Sequence, residues 1–194
     1  MALTLFRRRP RANTIPALYG AIVAQARAPG FYADFDVPDT VEGRFDMIVL
    51  HLSLLVRRLR SEPEELRALG QQVFDAFCID MDHNLREMGV GDVGVPRRMR
   101  AFGEAFYGRA AIYDRALDQS GETELAAALA RNVFRRAEAE QFQAARLAAY
   151  VRAAERCLTE QRPVALAAGE MWFPPVEGSG TAQGEDIAFR GSKR

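Results

Sequence analysis

The stretch DMDHNLREMGVGD at 80–92 is the densest gathering in this sequence of side chains that could do chemistry. Asp80, His83 and Glu87 recur at three- and four-residue spacing, so on a helix they lie along one side. Asp82 and Arg86 stand four apart on another side, the spacing of an intrahelical ion pair. A carboxylate–histidine set suits several divalent metals, and His51 is the other histidine in the chain. The letters DMDHN also imitate the opening of a calcium loop, which needs oxygen ligands at its first, third and fifth positions. The imitation stops at Leu85, where the loop needs glycine, and at Gly91, where it needs a bidentate glutamate. The transition-metal pattern is incomplete as well, because no H-E-x-x-H or E-x-x-H pair is present. No G-x-S-x-G elbow supplies a nucleophile. GVGDVG at 89–94 follows no strand, so it is a turn between helices and not a phosphate loop. Cys78 falls on an apolar stripe, and Cys78 and Cys157 read as buried, unpaired thiols. His51 reads as a core histidine bonded to a neighbour. The alternative is a metal-, haem- or quinone-binding helical enzyme built on the His51, Asp80 and His83 neighbourhood.

The elements that must position these groups are two amphipathic helices. In the first, Phe74, Phe77, Cys78, Met81, Leu85 and Met88 form one stripe, a core face. Gly89 follows as a C-terminal cap, Val90–Gly94 turn, and Pro96 opens the second helix. There Met99, Phe102, Gly103, Phe106, Ala110, Tyr113 and Leu117 share a face, and Gly103 reads as a place where another helix backbone comes close. Arg97, Arg98 and Arg100 crowd the first turn, where cations oppose the helix dipole by a few tenths of a kcal/mol or more. A cluster placed against local electrostatics points to a partner.

The rest of the chain fits the same 3.6-residue period. A helix from about Ile15 to Arg27 has Thr14 as its N-cap. Residues 29–40 read as an aromatic-rich loop. The helix from Val41 to Arg60 is apolar on opposite faces and is therefore central. Ser61-Glu62-Pro63-Glu64 reads as a capping box that starts the helix running to Met88. The next helix covers about 95–118, and residues 122–161 form one long helix or two shorter ones. Pro163 stops it, and 164–175 form a coda around Trp172 and Phe173. Arg57, Arg58 and Arg60, with Arg131, Arg135 and Arg136, are solvated helix faces or parts of a basic surface. The expected architecture is all-α, a single-domain multi-helix bundle with orthogonal packing and no sheet. Residues 1–13 are expected to be a loose basic arm, 14–175 the helical domain and 176–194 a disordered tail. Leu52, Phe74, Phe77, Met81, Leu85, Phe102 and Phe106 are expected to be buried together.

The 194 residues suit one sizeable core. The formal net charge of +0 gives no overall nucleic-acid footprint, and no specific DNA binding is expected. No run is long and apolar enough to span a membrane, and no signal peptide is read at the start. The expected location is the cytoplasm.

One resemblance is specific. FDMIVLHLSLLVRRL (45–59), GQQVFDAFCIDMDHNLREMGVGDVGVPRRM (70–99) and GEAFYGRAAIYDRAL (103–117) together resemble the ubiquinol–cytochrome c chaperone family. The similarity covers roughly residues 14–160 and is densest at 70–115. Family members are assembly factors for the cytochrome b subunit of ubiquinol–cytochrome c reductase, respiratory complex III. The resemblance implies a chaperone and not an enzyme, with no cofactor. It implies cytochrome b as client, with possible contacts to the ribosome and to a small partner protein. It implies work at the inner face of the cytoplasmic membrane, as a peripheral protein. Asp80, Asp82, Arg86, Glu87, Asp92, Arg98, Tyr107 and Arg109 would form the partner surface, joined by the neighbouring Arg97 and Arg100. Mitochondrial members carry longer N-terminal targeting segments, and this chain reads as a bacterial-type member.

Overall fold

The structure, a computed structural model, describes residues 13–135 and 141–176. Of the expected basic arm and tail, all but Asn13 and Val176 lie outside the described residues, as does Arg136. All regular structure among the described residues is helical, as the 3.6-residue period requires.

The centre is α3 (Val41–Arg60). Thr40 caps it by accepting the Gly43 N–H at 3.1 Å. Every residue from Asp46 to Leu55 is buried, so the two-sided apolar pattern does mark a helix covered all round. Around it pack α1 (Thr14–Ala26), α4 (Glu64–Glu87), α5 (Gly94–Asp118) and α7 (Gln141–Glu160). Against α7 and α5 lies α6 (Thr123–Leu129), which runs into a π-helical turn at Ala130–Phe134. Two short helices complete the fold: α2 (Pro29–Ala33) and α8 (Pro163–Ala167).

The end of α4 sets the geometry of the hairpin it makes with α5. Gly89 takes φ +78°, a conformation that costs other residues a clash of Cβ with the backbone. The Val90 N–H then reaches the Leu85 carbonyl and the Gly89 N–H the Arg86 carbonyl, both at 3.0 Å. This pair of bonds is the Schellman pattern, and it satisfies two carbonyls the helix would leave free. The chain reverses within Met88–Val93, and α5 packs back along α4 through Phe74, Phe77 and Phe106, with ring centroids 4.6–6.5 Å apart. Burying each such aromatic side chain stabilises the fold by roughly 1.5–3 kcal/mol.

Several local expectations are corrected. Thr14 does not cap α1; it is buried as the first helical residue, and its hydroxyl donates to the Ala167 carbonyl at 3.1 Å, tying α1 to α8. The aromatic loop contains α2, because Pro29 presets a helical φ and Phe31 is fully buried beneath it. No capping box forms at 61–64: Ser61 ends α3, Glu62 pairs back with Arg58, and Pro63 precedes α4. Gly103 admits no close neighbour, since a Cβ there would meet nothing within 4 Å. Leu52, Phe74, Phe77 and Phe106 are buried together as expected, but Leu85 is buried apart from that core, and Met81 and Phe102 are half-buried. Both cysteines are free, and both are half-buried. Pro163 begins α8 where a plain stop was expected.

Candidate partner-binding surface

Packing spends one face of α4 and leaves the other to solvent. On that outer face Arg86 lies 2.7 Å from Asp82 and 2.6 Å from Asp92, so one guanidinium links the helix to the turn that follows it. All three partners keep substantial exposure, so solvent screens the pairs and each contributes little to stability. His83 Nε2 lies 3.1 Å from Glu87, also exposed. Asp80 belongs to the inner edge instead: its carboxylate accepts the Tyr19 hydroxyl at 2.7 Å and ties α4 to α1. Burial and that carboxylate push the Tyr19 phenol well above its ordinary range.

Across the turn, Arg97, Arg98 and Arg100 are exposed and have no ion-pair partner among the described residues. Tyr107 is 57 % exposed, with its ring 5.4 Å from Phe74 and 5.3 Å from Phe106. Apolar side chains stand among these charges: Ile79 is 71 % exposed, Met88 58 % and Val93 94 %. A face mixing exposed aromatic, aliphatic and arginine groups has the composition of a protein interface.

Arg109 is placed differently from the other proposed surface residues. Its guanidinium turns inward, 2.7 Å from the Asp46 carboxylate, and its side chain is 18 % exposed. The contact is a close ion pair without hydrogen-bond alignment. Arg135, at φ +57° just after the π-helical turn, approaches the other Asp46 oxygen at 3.3 Å. Burial raises the Asp46 pKa despite both arginines. This fully buried carboxylate is the polar feature that periodicity does not single out. Its only sequence signal is an aspartate inside the apolar run of α3.

His51 is the core histidine expected. It is fully buried; its Nδ1 donates to the Met47 carbonyl at 2.7 Å, and its Nε2 accepts the Tyr150 hydroxyl at 2.8 Å. Burial lowers its pKa to about 4, so the ring is neutral, and both nitrogens are used. His83 is on the exposed face of α4, so the two histidines and Asp80 do not form one centre. No group of three or more His, Cys, Asp or Glu among the described residues is placed to hold a metal. Among the described residues no helix is long and apolar enough to cross a membrane.

Fold and surface together define an all-α domain whose main feature outside the core is a charged, partly apolar helical hairpin. The chain belongs to the ubiquinol–cytochrome C chaperone family, whose sequence pattern matches residues 33–173. It is similar to the ubiquinol–cytochrome-c reductase complex assembly factor 1 of Xenopus laevis, at 26 % identity over 162 residues, covering 82 % of this chain and 80 % of that protein. It is also similar to the crystal structure of the Cbp3 homolog from Brucella abortus. There the identity is 45 % and the TM-score 0.79, over 91 % of this chain and 98 % of the other.

Proposed function

We propose that this chain is an assembly chaperone of ubiquinol–cytochrome c reductase, and that it holds cytochrome b through the outer face of the α4–α5 hairpin. Family membership supports the first part. The observation that carries the second is the exposed triplet Arg97, Arg98 and Arg100, which finds no ion-pair partner among the described residues and opposes the α5 dipole. Asp82, Arg86, Glu87 and Asp92 extend the surface with charges of both signs, and Tyr107 supplies a rigid aromatic contact. Such charge patterns set partner choice and register more than raw affinity. Asp80 and Arg109 act behind this surface, fixing α4 on α1 and α5 on α3.

Holding a client needs no bond to be made or broken, so the reading assigns no catalytic residue and no cofactor. A hydrophobic membrane subunit with charged loops places the chaperone at the inner face of the cytoplasmic membrane, as a peripheral protein on the cytoplasmic side. The test is a crosslinking pull-down from membranes and ribosomes of the native host. Cytochrome b should be the membrane subunit recovered, and ribosomal proteins or a small partner would extend the reading. Recovery of other helical proteins with no membrane subunit would overturn it.

A further inference from the structure

The segment 171–176, Met-Trp-Phe-Pro-Pro-Val, has no regular secondary structure and lies on a groove formed by α1, α2, α3, α7 and Gln161 just after α7. The groove reads it the way a receptor reads a peptide. Gln161, 2 % exposed, donates from Nε2 to the Trp172 carbonyl at 2.8 Å and accepts the Trp172 N–H at Oε1 at 3.2 Å. One carboxamide thus gives Trp172 both bonds a neighbouring strand would give. The Cys157 carbonyl accepts from the same Nε2 at 3.0 Å and fixes its orientation. Gln25 Nε2 donates to the Pro174 carbonyl at 3.0 Å and to the Tyr150 hydroxyl at 3.0 Å, which in turn bonds His51.

Three side chains, Met171, Phe173 and Val176, pack against the core. Phe173 stands edge-on to the His51 ring at 5.0 Å and 88°. Phe31 in turn lies 5.5 Å from the His51 ring and 4.8 Å from the Tyr150 ring. Val176 lies over Gly30, where a Cβ would come 2.9 Å from its Cγ1. Trp172 itself is 56 % exposed. The hydrogen bonds and the ring contact that hold the segment come from neutral groups of the groove, two glutamines and His51. Six residues, none of them fully buried, held by three amide bonds and three side chains beyond a Gly169 at φ +84°, belong to the low-stability end of a fold.

We propose that this groove is a binding site for an extended, uncharged peptide segment of another chain with an aromatic residue at the place of Phe173, and that residues 171–176 are the internal occupant it displaces. The groove reads backbone amides, which folded partners keep hidden, so the partner presents an unfolded stretch. None of the groove residues belongs to α4 or α5, so failure of the hairpin surface and failure of the groove are distinguishable.

Trp172 is the one tryptophan of the chain and reports the state of the strap by its emission. The probe is a fluorescein-labelled peptide of sequence Met-Tyr-Phe-Pro-Pro-Val, blocked at both ends and silent at tryptophan wavelengths. In the full chain Phe173→Ala should shift Trp172 emission to the red and tighten binding of the peptide by at least about tenfold, since it raises the open fraction. Adding Gln161→Ala should abolish the gain. On the unaltered protein, unlabelled peptide in excess should shift Trp172 emission to the red, and the same peptide with alanine for phenylalanine should not. Equal affinity for the unaltered and Phe173→Ala proteins, or no emission change with peptide at millimolar concentration, would overturn the proposal. So would a dimer formed by exchange of straps, which would make the occupant a second copy of this chain.

Discussion

Arg57, Arg58 and Arg60 close α3, and Arg97, Arg98 and Arg100 open α5; as sequence the two triplets look alike, but as structure they have opposite fates. The first sits at a helix C-terminus, where the dipole welcomes cations. Each of its members is engaged. Arg57 lies between Asp114, Asp118 and Glu155 at 3.2, 2.7 and 3.7 Å, and Arg60 lies 2.6 Å from Asp114. Arg58 pairs with Glu62 and donates to the Leu158 and Gln161 carbonyls. These arginines join α3 to α5 and α7. The second triplet sits at a helix N-terminus, against the dipole, with no ion-pair partner among the described residues. A charge that serves the fold finds both a counter-charge and a favourable field. The second triplet finds neither among the described residues, which agrees with the partner role proposed for it.

The comparison can be broken at four points. The largest effect belongs to the packed side of the hairpin. Phe77 is fully buried against Phe45, Phe74 and Phe106, so Phe77→Ala should cost on the order of 3–5 kcal/mol in chemical denaturation. A loss below about 1 kcal/mol, the size of a surface change, would put the structural side of α4 elsewhere.

The buried histidine gives the next effect, and it depends on pH. Unfolded, His51 takes a proton near 6.5; folded, at about 4. Acid therefore favours the unfolded chain, and the stability held above pH 6.5 is lost as pH falls through that window. The loss attributable to His51 between pH 7 and pH 4 is about 3 kcal/mol. Asp46, whose pKa is raised by burial, acts in the opposite sense. The informative quantity is thus the difference between the native protein and His51→Gln, which should shrink as pH falls from 7 to 4. A difference independent of pH would mean His51 is not buried neutral.

Third, Arg57→Ala should cost about 1–2 kcal/mol, because its side chain is only 16 % exposed and it gathers three carboxylates. Fourth and smallest, replacing Arg97, Arg98 and Arg100 together by alanine should leave stability within about 0.5 kcal/mol of the native value, or raise it slightly by relieving the dipole. A cost for this triple replacement as large as that of Arg57→Ala, measured in the same way, would erase the distinction drawn between the two clusters.

Much of this architecture was legible from the period of the apolar residues. The Val41–Arg60 helix was read with its observed bounds, and its central place followed from apolar residues on opposite faces. Gly89 was read as a cap, and the Schellman bonds are there. What escaped depended on contacts between residues distant in sequence. Thr14 and the Ser61–Glu64 pattern have the letters of caps, but Thr14 bonds α8 and Glu62 turns back to Arg58. Helix α2 is too short for periodicity and owes its place to the burial of Phe31. The surface was legible in part: the Asp82–Arg86 spacing is a real pair, and the exposure of Tyr107 and the three arginines agrees with the partner role proposed for them. Arg109 could not be placed from sequence, because its partner Asp46 lies 63 positions away on α3. The resemblance to a family supplied the function; spacing alone stopped at a charged helical hairpin.

The central claim is that the outer face of α4–α5 engages the client and takes no part in holding the fold. The direct measurement is the level of assembled ubiquinol–cytochrome c reductase in a host that depends on this protein, with charges reversed together by Asp82→Lys and Arg98→Glu. Both side chains are on the solvent side, so circular dichroism and the melting temperature should be nearly unchanged. The account predicts that assembled complex falls several-fold in that folded variant. A folded variant that supports normal assembly would contradict it.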